Sequence, residues 1–417
     1  MITTPLLPDV GVLALVPNQW SIIWQLRHHI LIRLSRYFNV VWVNPPHDWR
    51  QAGKSWNTYG ARRLDDAESP GLTVYTPEPW LPRLYRPEWL AALTFRWRLE
   101  RARQLLIDQG CRKIILYIWR PEYAAALGAV PFDVSCYHID DEYSFADVDV
   151  PLEDAEVRLI AHVDQVFIHS LGLLERKGWI NQHTAYVPNG VDYEAYARIQ
   201  PEPADLAAVP HPRIGYTGIL KSTLDWDLLA WLSARHSDWS FVFVGPVARN
   251  QEIAGRIDAL AARPNVHLLG AKSAQSLAAY PQHFDVCIMP YRSNCHSVKY
   301  GYPLKLHEYL AGGRPVVGTR IRSVDEFADV VALPSGPEEW SAALAGALCP
   351  AVNTVEKRTA RQAVARRHDW GVLVGKIADT MCRRLGDEFA DRLEQATVCD
   401  SVRGAADRSA SRLVDVL

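Results

Sequence analysis

Eleven runs of five to seven apolar, largely β-branched residues recur along the chain. In the first half they are "GVLALV" (11–16), "NVVWVN" (39–44), "KIILYIW" (113–119), "VSCYHI" (134–139), "QVFIHS" (165–170) and "TAYVPN" (184–189). The second half has "RIGYTG" (213–218), "FVFVG" (241–245), "NVHLLG" (265–270), "DVCIMP" (285–290) and "PVVGT" (315–319). A strand apolar along its whole length must be covered on both faces, and helix-period segments separate most of these runs. That combination predicts α/β architecture with parallel sheets. At 417 residues the chain exceeds one ordinary core, so two domains of about 200 residues each are expected. The proline-rich stretch "IQPEPADLAAVPHP" (199–212) is the natural join. The expected division is 1–200, a linker at 201–212, and a second domain at 213–370. A helix at 371–385 is expected to pack back on the first domain. The polar remainder, 386–417, reads as frayed or helical without a core of its own.

A net charge of −2 gives no general affinity for nucleic acid, and no run of 18 apolar residues offers a spanning helix. The N-terminus lacks a basic region and a small-residue cleavage site, the reading of a cytoplasmic protein. Seven cysteines share no pairing or metal-like spacing, which fits a reducing compartment.

Chemistry concentrates in "YPLKLHEYLAGGRPVVGT" (302–319). Pro303 suits the first turn of a helix, and Gly312-Gly313 suits its end. Lys305 falls in the first turn, where the macrodipole disfavours a cation unless an anion is bound there. The first turn, Pro303–Leu304–Lys305, thus reads as an anion site, with Glu308 one turn deeper and placed to accept hydrogen bonds from hydroxyls. Diphosphate at the helix end and ribose over Glu308 is a nucleotide arrangement. The bland alternative is a solvated Lys–Glu pair.

"PLKLHEYLAGGRPVV" and "YVPNGVDYEAY" (186–196) resemble signatures of nucleotide-sugar-dependent glycosyltransferases of GT-B architecture. The closer likeness is to bacterial polysaccharide and teichuronic-acid biosynthesis enzymes. It extends to about residue 385 through "RHHILIRLSRYFNVVWVNPP", "YHIDDEYSF", "IGYTGILKSTLDWDLL" and "FDVCIMPYR". The resemblance implies two Rossmann-like domains facing each other across a cleft, acceptor on the first and sugar nucleotide on the second. It implies a retaining, metal-independent transfer without other cofactors. Glu308 matches the second carboxylate of the family's Glu-x7-Glu donor element, and the first falls at Tyr300. The glycine loop with Gly215 and Gly218 is placed beside the diphosphate, with Lys221 as a second phosphate cation. Strand ends at Gly245, Pro246, Gly270, Ala271 and Lys272 lie on the nucleotide side.

In "YHIDDEY" (137–143), His138, Asp140, Asp141 and Glu142 admit a divalent-metal reading. The preferred reading has Asp140 orienting the acceptor hydroxyl or acting as general base, and Asp141 capping a turn. Asn189-Gly190 reads as an interdomain turn, with Asp192 as a cap for the residues after it. Trp20, Trp24, Arg27, His28 and His29 are candidates for the acceptor side. Residues 81–106 carry six arginines against two glutamates, interleaved with Tyr85, Trp89, Phe95 and Trp97. That pattern suits peripheral contact with an anionic membrane, or else a packed helix with a solvated basic face.

The expectation is a glycosyltransferase moving a sugar from a nucleoside-diphosphate sugar to a lipid-linked or surface-polysaccharide acceptor. A non-catalytic scaffold of the same fold and a sugar-nucleotide epimerase are the alternatives.

Overall fold

The computed structural model describes residues 4–21, 25–46, 59–64, 69–143, 151–248 and 253–414. The apolar runs form two sheets. The first contains β1 (Val10–Leu15), β2 (Asn39–Val43), β3 (Gly60–Arg63), β4 (Leu72–Thr76), β5 (Lys113–Ile118), β6 (Val134–Ile139), β7 (Gln165–Ile168) and β8 (Thr184–Tyr186). Their order is β3-β4-β2-β1-β5-β6-β7-β8, parallel except for β3 on β4. Central β1, β2, β4, β6 and β7 are buried at every position, as uninterrupted apolar runs require. The second sheet contains β9 (Arg213–Thr217), β10 (Ser240–Val244), β11 (Val266–Gly270), β12 (Val286–Met289), β13 (Val316–Gly318) and β14 (Val331–Ala332). Its order is β11-β10-β9-β12-β13-β14, all parallel.

Strand order reverses between β1 and β5 in the first sheet and between β9 and β12 in the second. In open α/β sheets such switch points leave a crevice at the carboxyl ends of the strands. The loops after β1 and β5 and those after β9 and β12 therefore flank the crevices, with the loop after β6 next to the first.

The chain crosses between the sheets earlier than the proline-rich stretch suggests. Val191 donates to the His368 carbonyl and Trp370 donates to the Val191 carbonyl, both at 2.9 Å. The outward and return crossings thus lie side by side at residues 189–192 and 368–370. A Cβ on Gly190 would meet the His368 oxygen at 2.6 Å, so glycine permits this contact. Residues 201–212 belong to the second domain instead: Leu206 and Val209 are in its core, and Arg213 pairs with Glu202. Prolines mark a stretch without regular structure, which need not be the stretch between cores.

Helix Trp370–Leu385 returns to the first sheet. Its Leu373, Val374, Ile377, Ala378, Met381 and Cys382 join the core under Ile30, Leu31 and Leu34 of helix Leu26–Leu34. Burying each larger side chain contributes about 1.5–3 kcal/mol, so this return helix is integral to the first domain. The stretch after it is helical, Asp387–Val414, and without a core of its own it anchors on the first domain: Phe389 and Leu393 enter the same cluster, and Arg392 grips Asp9 at 2.6 and 3.0 Å.

The domains touch along one flank. Ser170 donates to the Tyr300 carbonyl at 2.6 Å, Asn189 to the Tyr302 carbonyl at 2.7 Å, and Tyr186 to Glu326 at 3.1 Å. Arg322 pairs with Glu175 at 2.6 Å.

Candidate active site

On the second-domain wall, β9 ends at Thr217 and the chain turns at Gly218, with φ +131°. A Cβ at Gly218 would lie 3.2 Å from Lys305 Cε and 3.4 Å from its Nζ. Glycine therefore lets the lysine lie against the loop backbone. The Lys305 ammonium donates to the Tyr291 hydroxyl at 2.7 Å and sits over the rings of Tyr216 (4.9 Å) and Tyr291 (5.3 Å). Burial disfavours its charge, but the tyrosines and the Glu308 carboxylate outweigh burial and raise its pKa. The lysine is held charged with its head group at the crevice.

Gly245, after β10, has φ +151°, and a Cβ there would lie 2.1 Å from the Gly218 oxygen. Gly218 donates to Val244 at 2.8 Å, Gly245 to Gly270 at 2.9 Å, and Leu220 to Pro246 at 2.9 Å. Three strand ends are thus laced together by backbone alone. Gly245→Ala is expected to combine backbone strain and overpacking, each about 1–3 kcal/mol, and to displace the Gly218 loop. Thermal unfolding should show a lower Tm, and nucleotide titration a loss of affinity; an unchanged variant would mean the loop tolerates the methyl group.

Lys221 lies at the exposed end of this loop. Partial burial and then the Lys305 charge lower its pKa, while Asp141 of the first domain acts in the opposite sense. Two cations therefore share one region, and the Asp141 carboxylate acts on Lys221 from the first domain. Glu308 stands behind Lys305, half-buried, and accepts a hydrogen bond from Tyr196. Burial raises its pKa, against the pull of Lys305 and the Tyr196 hydroxyl.

The helix carrying these residues is Lys305–Ala311, with Leu304 at the N-cap and Gly313 at φ +71° beyond its end. Lys305 is its first residue. At seven residues it is short, so the positive character here rests on two lysines more than on the helix end. Pro303 is half-buried at the turn, accepting from Leu306 at 3.2 Å, and Leu304 packs on the first-domain core.

Several residues expected here are directed elsewhere. The Lys272 ammonium pairs with Asp205 at 2.7 Å and sits 5.8 Å from the Tyr280 ring, so it is not gathered with Lys305 and Lys221. Gly215 lies inside β9, where a Cβ would overlap the Phe284 ring at 2.0–2.3 Å; its role is packing. Tyr300 turns its buried ring into the first domain, against Gly172 and 5.4 Å from the Arg176 guanidinium. It stands between the domains as a packing contact, where the Glu-x7-Glu pattern has a carboxylate.

The first-domain wall also redistributes roles. Asp140 comes directly after β6, and both its oxygens are taken: Arg27 lies 2.6 Å from Oδ2, and the Tyr143 hydroxyl donates to Oδ1 at 2.6 Å. Arg27 also donates to Asn18 at 2.9 Å and Gln25 at 3.1 Å. Asp140 is thus committed to an ion pair, which counts against a general base. Asp141 accepts only from the neighbouring Glu142 N–H, at 2.8 Å, among the described contacts. Burial, then the Asp140 charge, raises its pKa. Glu142 is neutralised by Arg176 at 3.1 Å and Lys177 at 3.2 Å. His138 is fully buried, stacked on Trp119 at 4.3 Å and bonded to Tyr117 at 2.6 Å. The four side chains of the metal reading are therefore dispersed among separate partners.

Trp20 packs edge-on to Trp42 at 5.0 Å and 5.1 Å from His28, whose pKa burial lowers to about 4. His29 stacks on Trp370 at 5.3 Å; burial lowers its pKa to about 3. His29 thus packs on the return helix and His28 between Trp20 and Trp42, 4.7 Å from the latter, and Trp24 lies outside the described residues. Sequence reasoning missed Tyr216, Tyr291 and Tyr196. The first two adjoin strand ends in "IGYTG" and "CIMPYR", a signal that was present; Tyr196 is brought to Glu308 only by tertiary packing.

Two parallel-sheet domains with facing switch points and a shared flank are the GT-B fold. Residues 211–352, within the second domain, match the family model of glycosyl transferases group 1. The chain is 30% identical over 238 residues to the "Putative teichuronic acid biosynthesis glycosyltransferase TuaH" of Bacillus subtilis (strain 168), covering 54% of this chain and 58% of that one. It thus spans somewhat over half the length of that curated relative. Among solved structures, sucrose-phosphate synthase from Thermosynechococcus elongatus superimposes with a TM-score of 0.63 at 14% identity, over 88% of this chain and 96% of that one. Anabaena Alr3699/HepE, in complex with UDP and glucose, gives 0.62 at 15% identity over 89% and 98%.

Proposed function

We propose that the protein transfers a sugar from a nucleoside diphosphate to a hydroxyl group of a lipid-linked or growing surface polysaccharide. The observation that carries this reading is the convergence of Lys305, Lys221 and the Gly218 backbone at the carboxyl edge of the second sheet, opposite Asp141. Two cations beside a glycine turn suit a diphosphate, and Glu308 one turn behind suits ribose hydroxyls. When the bond from the sugar's anomeric carbon to the phosphate oxygen breaks, the electron pair stays on the diphosphate, where the lysines oppose the developing charge. The acceptor oxygen bonds to the anomeric carbon, and its proton passes to the departing phosphate or to Asp141. Retention of configuration without a metal ion is part of the proposal, to be read from the anomeric signal of the product and from turnover in a chelator. An acceptor of that chemistry puts the work at the cytoplasmic face of the membrane, with residues 81–106 making peripheral contact.

Thermal-shift titration with UDP-, GDP-, dTDP- and ADP-linked sugars tests the donor. A ligand that binds the native state raises Tm, and no shift with any of them would count against the reading and favour a scaffold. An epimerase would convert donor with no acceptor present. With the donor known, Glu308→Ala should weaken nucleotide binding by about 1.5–3 kcal/mol, the worth of a hydrogen bond to a charged group. Calorimetric titration measures this, and unchanged affinity would remove Glu308 from the site.

A further inference from the structure

The segment before helix Glu88–Asp108 does not wander in solvent. Arg98, buried in that helix, donates to the Leu81 and Pro82 carbonyls at 3.2 and 2.8 Å, and Arg101 grips Glu78 at 2.6 Å. The strap 79–87 is thereby pinned along the helix. Its aromatic side chains nonetheless face outward: Trp80 is 70% exposed, Tyr85 67%, Trp89 69% and Trp97 51%. Trp89 and Trp97 are eight residues apart, hence on one helix face, and Arg96 adjoins Trp97. Arg83, 5.1 Å from the Tyr85 ring, and Arg86 are exposed on the strap. Against these three exposed arginines stands Glu88, in a chain whose net charge is −2.

Three indoles and a phenol this exposed are costly in water, and a monomer rarely shows such a patch without a partner. Trp and Tyr prefer the boundary between headgroups and acyl chains, and arginines beside them match anionic headgroups. We propose that Trp80, Tyr85, Trp89 and Trp97, with Arg83, Arg86 and Arg96, form a docking face for an anionic lipid bilayer. The proposal narrows the contact made by 81–106: Arg98 is buried on the strap carbonyls, Arg101 is paired with Glu78, and Trp80 is added from outside that range. It deepens the transferase reading only in locating the acceptor. Arg83, Arg98 and Arg120 all act on the Tyr123 phenol, which burial raises to about 12, and the Tyr123 hydroxyl donates to Val16 at the end of β1. The face therefore adjoins the carboxyl edge of the first sheet, where Asp140 and Asp141 lie.

Co-sedimentation of the full chain with vesicles tests this directly. Binding to vesicles of phosphatidylcholine with phosphatidylglycerol is expected, with little binding to phosphatidylcholine alone and weakening above ~0.1 M salt. The triple variant W80A/W89A/W97A and the variant R83E/R86E/R96E should each lose binding by on the order of tenfold or more. Their unfolding midpoints should match the wild type, because the substituted groups are exposed. Wild-type protein that stays in the supernatant, or variants that sediment equally, would overturn the proposal. Concentration-dependent self-association abolished by the same substitutions, without vesicle binding, would also overturn it and make the face a protein interface. Donor thermal shifts need no vesicles, so failure of the docking face and failure of the transferase reading are separately visible.

Discussion

Lys305→Ala should slow sugar transfer by about 10²–10³-fold while leaving acceptor affinity nearly unchanged. The lysine's head group is fixed by Tyr291 and the Tyr216 ring, so its charge is in place before the diphosphate departs. A preorganised charge acts on the transition state more than on the ground state, and the loss should therefore appear in kcat more than in KM. Removing the ammonium also leaves Tyr291 without this donor, so far-ultraviolet circular dichroism and Tm must accompany the kinetics. Lys305→Arg keeps charge but not shape beside Gly218, where even an added Cβ would lie 3.2 Å from Lys305 Cε. It should recover only part of the rate. Wild-type kcat in Lys305→Ala would remove the lysine from the chemistry.

The second large effect is on stability. Asp140→Ala should cost about 3–5 kcal/mol in urea unfolding, because it leaves the Arg27 guanidinium buried without its carboxylate. Replacing both partners with apolar residues, Arg27→Met with Asp140→Leu, should restore most of that loss, since a buried ion pair contributes little net stability over well-packed hydrophobic groups. Asp141→Asn gives the contrast: near-normal stability with a fall in kcat, as its described contact is one neighbouring N–H. If Asp140→Ala unfolds like the wild type but fails to turn over, Asp140 is the reacting carboxylate and the roles revert.

These adjacent aspartates mark the limit of what a sequence shows. Local patterns made "YHIDDEY" a carboxylate-rich strand end, yet the choice between Asp140 and Asp141 depends on Arg27, more than a hundred positions away. The strands were legible where apolar runs are long and buried on both faces. "GLTVYT" was not, and forms β4; nor was "GARR", whose mostly exposed residues form the antiparallel edge β3. An edge strand need not be apolar on both sides, so β3 lacks the signal that identifies its neighbours, while β4, though buried throughout, has Thr73 and Thr76 interrupting its apolar run.

The sequence alone determined the α/β class, the two-sheet plan and the stretch holding Lys305 and Glu308, since strand burial, helix ends and charge placement are written within a few residues. Tertiary structure decided where the chain crosses between domains, that Lys272 and Tyr300 face other partners, and that Tyr196, Tyr291 and Asp141 complete the crevice. Those outcomes depend on contacts between distant segments, whose energies compare competing partners. Asp205 outcompetes the crevice for Lys272, and the first-domain core takes the Tyr300 ring, because burial and pairing are settled only once both sheets are packed.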